Sequence, residues 1–246
     1  MTDWSKLAHA YGTADDLPAL LGSLTPDPHS QAWDKLWSRV CHQGTVYPAS
    51  FATLPILCEL ATCWAPAQRF QPLVLAGAIA ASISVVGLQA EHRDLEATIA
   101  ELHSLALNTL PAVPDATNSE FVYLLQATLA LGGDRVWGRV LDRLVDGEFE
   151  ADCASCSAEL FIVVGSYGTF VTCEEWVNRP STKRVAIRAR SAAAAPTTEN
   201  WLIEQSCGPS RATLRGWFLH LFGDADCPAC GATNSLAERI AASAAE

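Results

Sequence analysis

Four cysteines toward the C-terminal end carry the clearest chemistry in this chain. They fall in two pairs of like spacing, Cys153-Ala-Ser-Cys156 and Cys227-Pro-Ala-Cys230-Gly231. One tight turn can aim two thiols so spaced at a single ion, and two such turns complete a tetrahedral four-cysteine shell of the kind that holds zinc. Four protein sulfurs leave no position for a substrate, so the predicted role of the metal is structural. A small residue, Ser157 or Gly231, follows each second cysteine and eases the turn around the thiolates. The pairs are separated by 70 residues, so the reading requires distant parts of the chain to meet in space.

A dithiol redox centre is the rival use of such a pair, but it needs a thioredoxin-like βαβ setting that the flanking pattern lacks. Metal binding would then dominate the stability of this segment, with about 10–16 kcal/mol available in small zinc modules. Cys173, Cys207 and His220 could substitute as ligands. Their expected role is core packing, because a free cysteine behaves as a small apolar residue.

A second constellation, His42-Gln-Gly-Thr-Val-Tyr-Pro-Ala-Ser50, joins two expected helices. Gly44 suits the left-handed position after a helix, and Pro48 suits a first helical turn. His42, Gln43 and Tyr47 are candidate ligand- or partner-binding residues at that junction. The plainer explanation is that they satisfy backbone groups at the helix ends. His92, Glu96 and His103 share one helix face at the spacing a metal or acid/base site would use, although a polar helix face explains them more simply. From Arg179 to Arg190 there are five bases and no acid, which invites phosphate contacts. Arg188 and Arg190 also alternate with Ile187 and Ala189, as on the wet face of a strand. No Gly-x-Ser-x-Gly elbow, phosphate loop or His-Glu-x-x-His is present.

The elements that must position these residues are mostly helical up to residue 147. Apolar residues recur at helical spacing in Trp4, Leu7, Ala8 and Tyr11, then in Leu17, Leu20, Leu21 and Leu24 after the capping pattern Thr13-Ala-Asp-Asp16. Trp33, Leu36, Trp37 and Val40 form a third stripe. A fourth, from Pro48, carries Phe51, Leu54, Leu57, Cys58 and Ala61, with a kink expected at Pro55. The stretch Leu73–Leu88 is apolar nearly all round and should be buried among its neighbours. Further stripes begin at Leu95 and Phe121, and a last helix is expected over Trp137, Val140, Leu141 and Leu144. Beyond Gly147 the pattern predicts two strands around Gly165-Ser-Tyr-Gly168, a third at Val185–Arg190, a loop or helix edge at Ser191–Asn200, and helices over Arg211–Phe222 and Ser235–Ala244.

Composition narrows the function. The chain has 246 residues, half of them hydrophobic, and a net charge of −11. Residues 1–150 hold 17 acids against 8 bases, which repels phosphate and makes a basic protein partner the better fit. The opening Met-Thr-Asp-Trp-Ser-Lys-Leu lacks the basic-then-apolar pattern of a secretory signal. The longest uncharged apolar run is short for a membrane span. Nine cysteines without such a signal are expected in a reducing, cytoplasmic setting.

The segments Ala10-Tyr-Gly-Thr-Ala-Asp-Asp-Leu-Pro-Ala-Leu-Leu21 and His42-Gln-Gly-Thr-Val-Tyr-Pro-Ala-Ser-Phe-Ala-Thr-Leu-Pro-Ile-Leu57 resemble bacterial HEAT-repeat-like proteins. The two cysteine pairs resemble a zinc ribbon with a long insertion. The resemblance implies stacked helix pairs acting as a protein-interaction scaffold, and it carries over no catalytic residues. The expected architecture is therefore mainly α: a HEAT-like helical domain over 1–147 and a small α+β zinc-ribbon-like module over 148–246. The expected function is a non-enzymatic, protein-binding scaffold with a structural zinc, for instance an immunity-like protein that engages a basic partner. Two alternatives stand beside it: an enzyme or small-molecule binder near His42, Gln43 and Tyr47, and a nucleic-acid-binding regulator acting through the ribbon.

Overall fold

A computed structural model of the chain describes residues 2–86, 95–191 and 197–244. Contacts divide it into two units, Met1–Arg139 and Val140–Glu246. Gly147, the expected boundary, therefore lies inside the second unit.

The first unit opens differently from the expected helix over residues 4–11. A 3₁₀ turn (Trp4–Lys6) leads into a hairpin of β1 (Ala8–His9) and β2 (Gly12–Thr13). Two observations account for this. Gly12 sits at φ 129°, where other residues are strained. The Tyr11 amide donates to His9 Nδ1 at 3.0 Å, so it is lost to any helical ladder. The expected Thr13–Asp16 cap is absent: the Asp16 side chain makes no cap bond to α1 (Leu17–Leu21). Its carboxylate instead accepts from His9 Nε2 at 3.0 Å and from Arg39 Nε at 2.6 Å.

Helix α2 (Gln31–Val40) starts from Ser30, whose hydroxyl accepts from the Ala32 amide, and buries Trp33, Leu36 and Val40. A second small hairpin follows, β3 (Cys41–His42) with β4 (Thr45–Val46). Gly44 thus turns a hairpin instead of closing a helix. Gln43 and Gly44 form the two-residue turn, at φ 50° and 77°, the positive pair that a type I′ turn requires. Helix α3 (Pro48–Cys63) has proline in its first turn and continues through Pro55. Ser50 pins its start, accepting from the Tyr47 amide and donating to the Val40 carbonyl at 2.5 Å.

Three more long helices complete the unit: α4 (Phe70–Val86), α5 (Leu95–Thr109) and α6 (Asn118–Leu131). The last opens with a capping box, in which Thr117 and Glu120 each bond the other's backbone amide. Helix α3 packs on α4 and α5, and α6 packs on the same two. Leu73, Leu75, Ala76 and Ile79 of α4 are fully buried, as its composition requires. The end of the expected apolar stretch, residues 87 and 88, lies outside the described residues. Small side chains set the spacing of α4 and α6. A Cβ on Gly77 would come within 2.5 Å of the Ala127 Cα. The single helix expected around 137–144 is instead two one-turn pieces, α7 (Trp137–Val140) and α8 (Arg143–Asp146), the second ended by Gly147 in the left-handed conformation.

In the second unit β5 (Glu148–Asp152), β6 (Glu159–Gly165), β7 (Gly168–Thr172) and β8 (Val185–Ala186) form one antiparallel sheet in that order. The expected Gly-Ser-Tyr-Gly turn joins β6 to β7, with Gly165 opposite Gly168. A separate hairpin pairs β9 (Asp224–Asp226) with β10 (Thr233–Ser235). Arg188 bridges to Asp224 through two backbone hydrogen bonds of 2.8 and 3.1 Å, so the chain beyond β8 is tied to β9. Gly223 permits this approach, since a Cβ there would lie 2.0 Å from the Arg188 carbonyl oxygen. Helix α9 (Thr198–Gln205) takes the last residues of the expected 191–200 loop, of which 192–196 lie outside the described residues. Helices α10 (Ala212–Leu221) and α11 (Leu236–Ala244) match the expected pair, and α11 packs on β5. The core of this unit includes Phe149, Leu160, Ile162, Val164, Leu214, Phe218, Leu236 and Ile240. The chain as a whole is mixed α/β and mainly helical. Among the described residues no helix is long and apolar enough to cross a membrane.

Candidate metal centre

The two cysteine pairs occupy turns of the same design. Cys153 to Ala158 connects β5 to β6, and Cys227 to Ala232 connects β9 to β10. In the first, the Cys153 amide donates to the Ala158 carbonyl at 2.9 Å and the Ser157 amide to the Cys153 carbonyl at 3.0 Å. In the second, Cys227 and Ala232 make the former bond at 2.8 Å, and Gly231 and Cys227 the latter at 2.8 Å. Ser157 and Gly231 occupy corresponding positions with φ of 55° and 80°. A left-handed residue after the second cysteine is what folds each loop back, a conformation that Gly231 adopts freely and Ser157 adopts against the cost of its Cβ. The second turn therefore leads into a short strand before the expected helix.

The four sulfurs converge. All lie within 4.8 Å of one another, with Cys153–Cys230 and Cys156–Cys227 each at 3.8 Å. An ion about 2.3 Å from four sulfurs at tetrahedral corners holds them about 3.8 Å apart, so the donors fit a tetrahedral thiolate site. All nine cysteines are free of disulfides. Cys153 and Cys227 are buried, while Cys156 and Cys230 are exposed. These four residues could hold a metal ion with every position of a tetrahedral shell filled.

The electrostatics of the bare thiols are uneven. Burial raises the Cys153 pKa, but the amides of Ser155 and Cys156 and the side chain of Asn234 outweigh it and bring the thiol down to about 6. At Cys156 the Ala158 amide lowers the pKa, yet the neighbouring sulfurs, Cys230 first, push it up to about 12. Four clustered sulfurs cannot all ionise without a compensating cation, and a divalent ion supplies that charge.

Two residues outside the sulfur quartet brace it. Lys183 Nζ donates to the Pro228 carbonyl at 2.5 Å, inside the second turn. Asn234, 3% exposed, reaches from β10 to the first turn. The spacing of the cysteines gives no hint of Asn234, because its partner Ala154 is 80 positions away in sequence.

The substitute ligands are otherwise engaged or set apart. His220 Nδ1 pairs with the Gly216 carbonyl at 2.7 Å, and Cys207 points at the Ile203 carbonyl. Cys173 is the exception in location. Burial first, then its proximity to Cys227, raises its pKa.

His42 packs edge-on against the Tyr11 ring at 5.5 Å, with the Tyr11 hydroxyl 3.3 Å from its Nδ1. Gln43 is exposed at the hairpin turn, and the Tyr47 amide is engaged by Ser50. His92 lies outside the described residues. His103 abuts the Gly132 backbone, and burial lowers its pKa. Among the described residues the cysteine quartet is the one group of His, Cys, Asp or Glu side chains arranged to hold a metal.

In the basic run, Arg188 forms a bidentate pair with Asp226 at 2.9 and 3.0 Å, and Arg179 pairs with Glu175 at 2.7 Å. Arg184 lies 4.5 Å over the Phe170 ring. These cations are already bonded within their own unit, which leaves less charge for phosphate. Against known proteins, no family model matches the chain, and no curated protein or solved structure does either.

Proposed function

We propose that the second unit is a zinc-ribbon-like module with a structural zinc on Cys153, Cys156, Cys227 and Cys230, and that the protein is a non-enzymatic scaffold for a basic protein partner. The convergence of the four thiols is the observation that carries the metal assignment. Zinc suits four sulfurs in a tetrahedron, and a filled shell serves architecture.

The scaffold reading rests on the first unit. The contacts of α3 with α5 and of α4 with α6 agree with two helix hairpins laid one on the other, the arrangement of HEAT-like repeats. The acidic excess over residues 1–150 favours a basic partner, for instance a basic toxin that the protein would neutralise. Affinity capture from native cells with the full chain tests this. Basic proteins should be retained at low salt and released as the Debye length shrinks to a few ångströms near ~1 M salt. Retention of acidic proteins alone, or no salt dependence, contradicts it.

A further inference from the structure

Asn234 makes three hydrogen bonds, and together they join the two turns. Its Oδ1 accepts from the Ala154 amide at 3.0 Å, in the first turn. Its Nδ2 donates to the Ala232 carbonyl at 2.9 Å, in the second turn, and to the Cys153 sulfur at 3.6 Å. A primary amide has two N–H donors, so both are in use. One fixes the rotamer on its own loop and the other is aimed at a ligand atom.

We propose that Asn234 is a positioning residue of the metal centre, preorganising the quartet and stabilising the Cys153 thiolate. This rests on the zinc assignment above. An N–H···S bond to a neutral thiol is weak, whereas one to a thiolate is charge-assisted and stronger. The donor at Nδ2 is therefore worth more to a thiolate ligand than to a protonated thiol. The asymmetry of the two turns supports the assignment. The position equivalent to Ala154 in the second turn is Pro228, which has no amide proton. A cross-link of this kind can be made to the first turn alone, and Asn234 makes it.

Three variants separate the two halves of the side chain. Asn234→Leu keeps the branching at Cγ and removes every side-chain bond, in a bulkier side chain. Asn234→Asp keeps the acceptor for Ala154 and replaces the donor by a negative oxygen beside the sulfur. Ala154→Pro removes the backbone tie in a position where the twin turn already carries proline. Each full-length protein is titrated with zinc against a chromophoric chelator and with cobalt(II), and folding is followed by far-UV circular dichroism.

Asn234→Leu and Asn234→Asp should both weaken zinc about 10–100-fold, the usual cost of losing a hydrogen-bond partner of a metal ligand. Ala154→Pro should cost less. In the two Asn234 variants the thiolate-to-cobalt charge-transfer band should move to longer wavelength, since an unbonded sulfur gives up its electron more readily. Wild-type zinc affinity and an unshifted band in Asn234→Asp would overturn the proposal and leave Asn234 a backbone tie. If Asn234→Leu fails to fold, the Asp variant still decides. A wild-type chain that binds neither metal would instead overturn the zinc assignment on which this rests.

Discussion

At Cys227 one sulfur-to-oxygen exchange tests whether four donors are needed. Cys227→Ser keeps the size of the side chain but offers zinc a neutral hydroxyl in place of a thiolate. Metal-dependent folding energy in small zinc modules is about 10–16 kcal/mol, so the second unit should lose most of its zinc-dependent stability. Thermal melts with and without chelator read this directly: wild type should shift strongly and Cys227→Ser little. At Asp16 the chemistry is protonic. Burial raises its pKa, but the hydrogen bonds from Arg39 and His9 prevail and hold the carboxyl below its ordinary 3.8. A depressed carboxylate stabilises the fold fully above its unfolded value and loses that contribution as pH falls through the folded one. Acid titration of tertiary fluorescence should therefore show a steeper loss of stability below pH 3.8 in wild type than in Asp16→Asn. Equal slopes would mean the Arg39 and His9 bonds add nothing.

At the scale of elements, the α4–α6 contact is set by the absence of a side chain. Gly77→Ala would place a methyl 2.5 Å from the Ala127 backbone, so the helices must separate. Overpacking of this kind costs about 1–3 kcal/mol, and chemical denaturation should show a lower midpoint with an unchanged slope. Long helices such as α3 and α6 are legible in the sequence because their apolar residues repeat over three or four turns. The cysteine turns are legible because their geometry is local to four residues. The two small hairpins before α3 are not. Their strands have two residues each, too few for any periodicity, and what selects them is the positive φ of Gly12, Gln43 and Gly44. Strands β9 and β10 are hidden for the same reason, with register supplied by the turn at Cys227. Asn234 escapes a sequence reading altogether, because its role depends on a contact between segments that only the folded chain brings together.

At the scale of the whole molecule, the metal would join two hairpins that are far apart in sequence. Chelation should accordingly raise amide exchange in β5, β6, β9 and β10, the four strands that flank the cysteine turns. The most direct test of the four-sulfur site is the metal content of protein purified without added metal, measured together with its free thiols after denaturation. A structural site predicts about one zinc per chain and nine titratable thiols. A metal-free, folded protein, or one whose Cys153, Cys156, Cys227 and Cys230 are paired as disulfides, would contradict it.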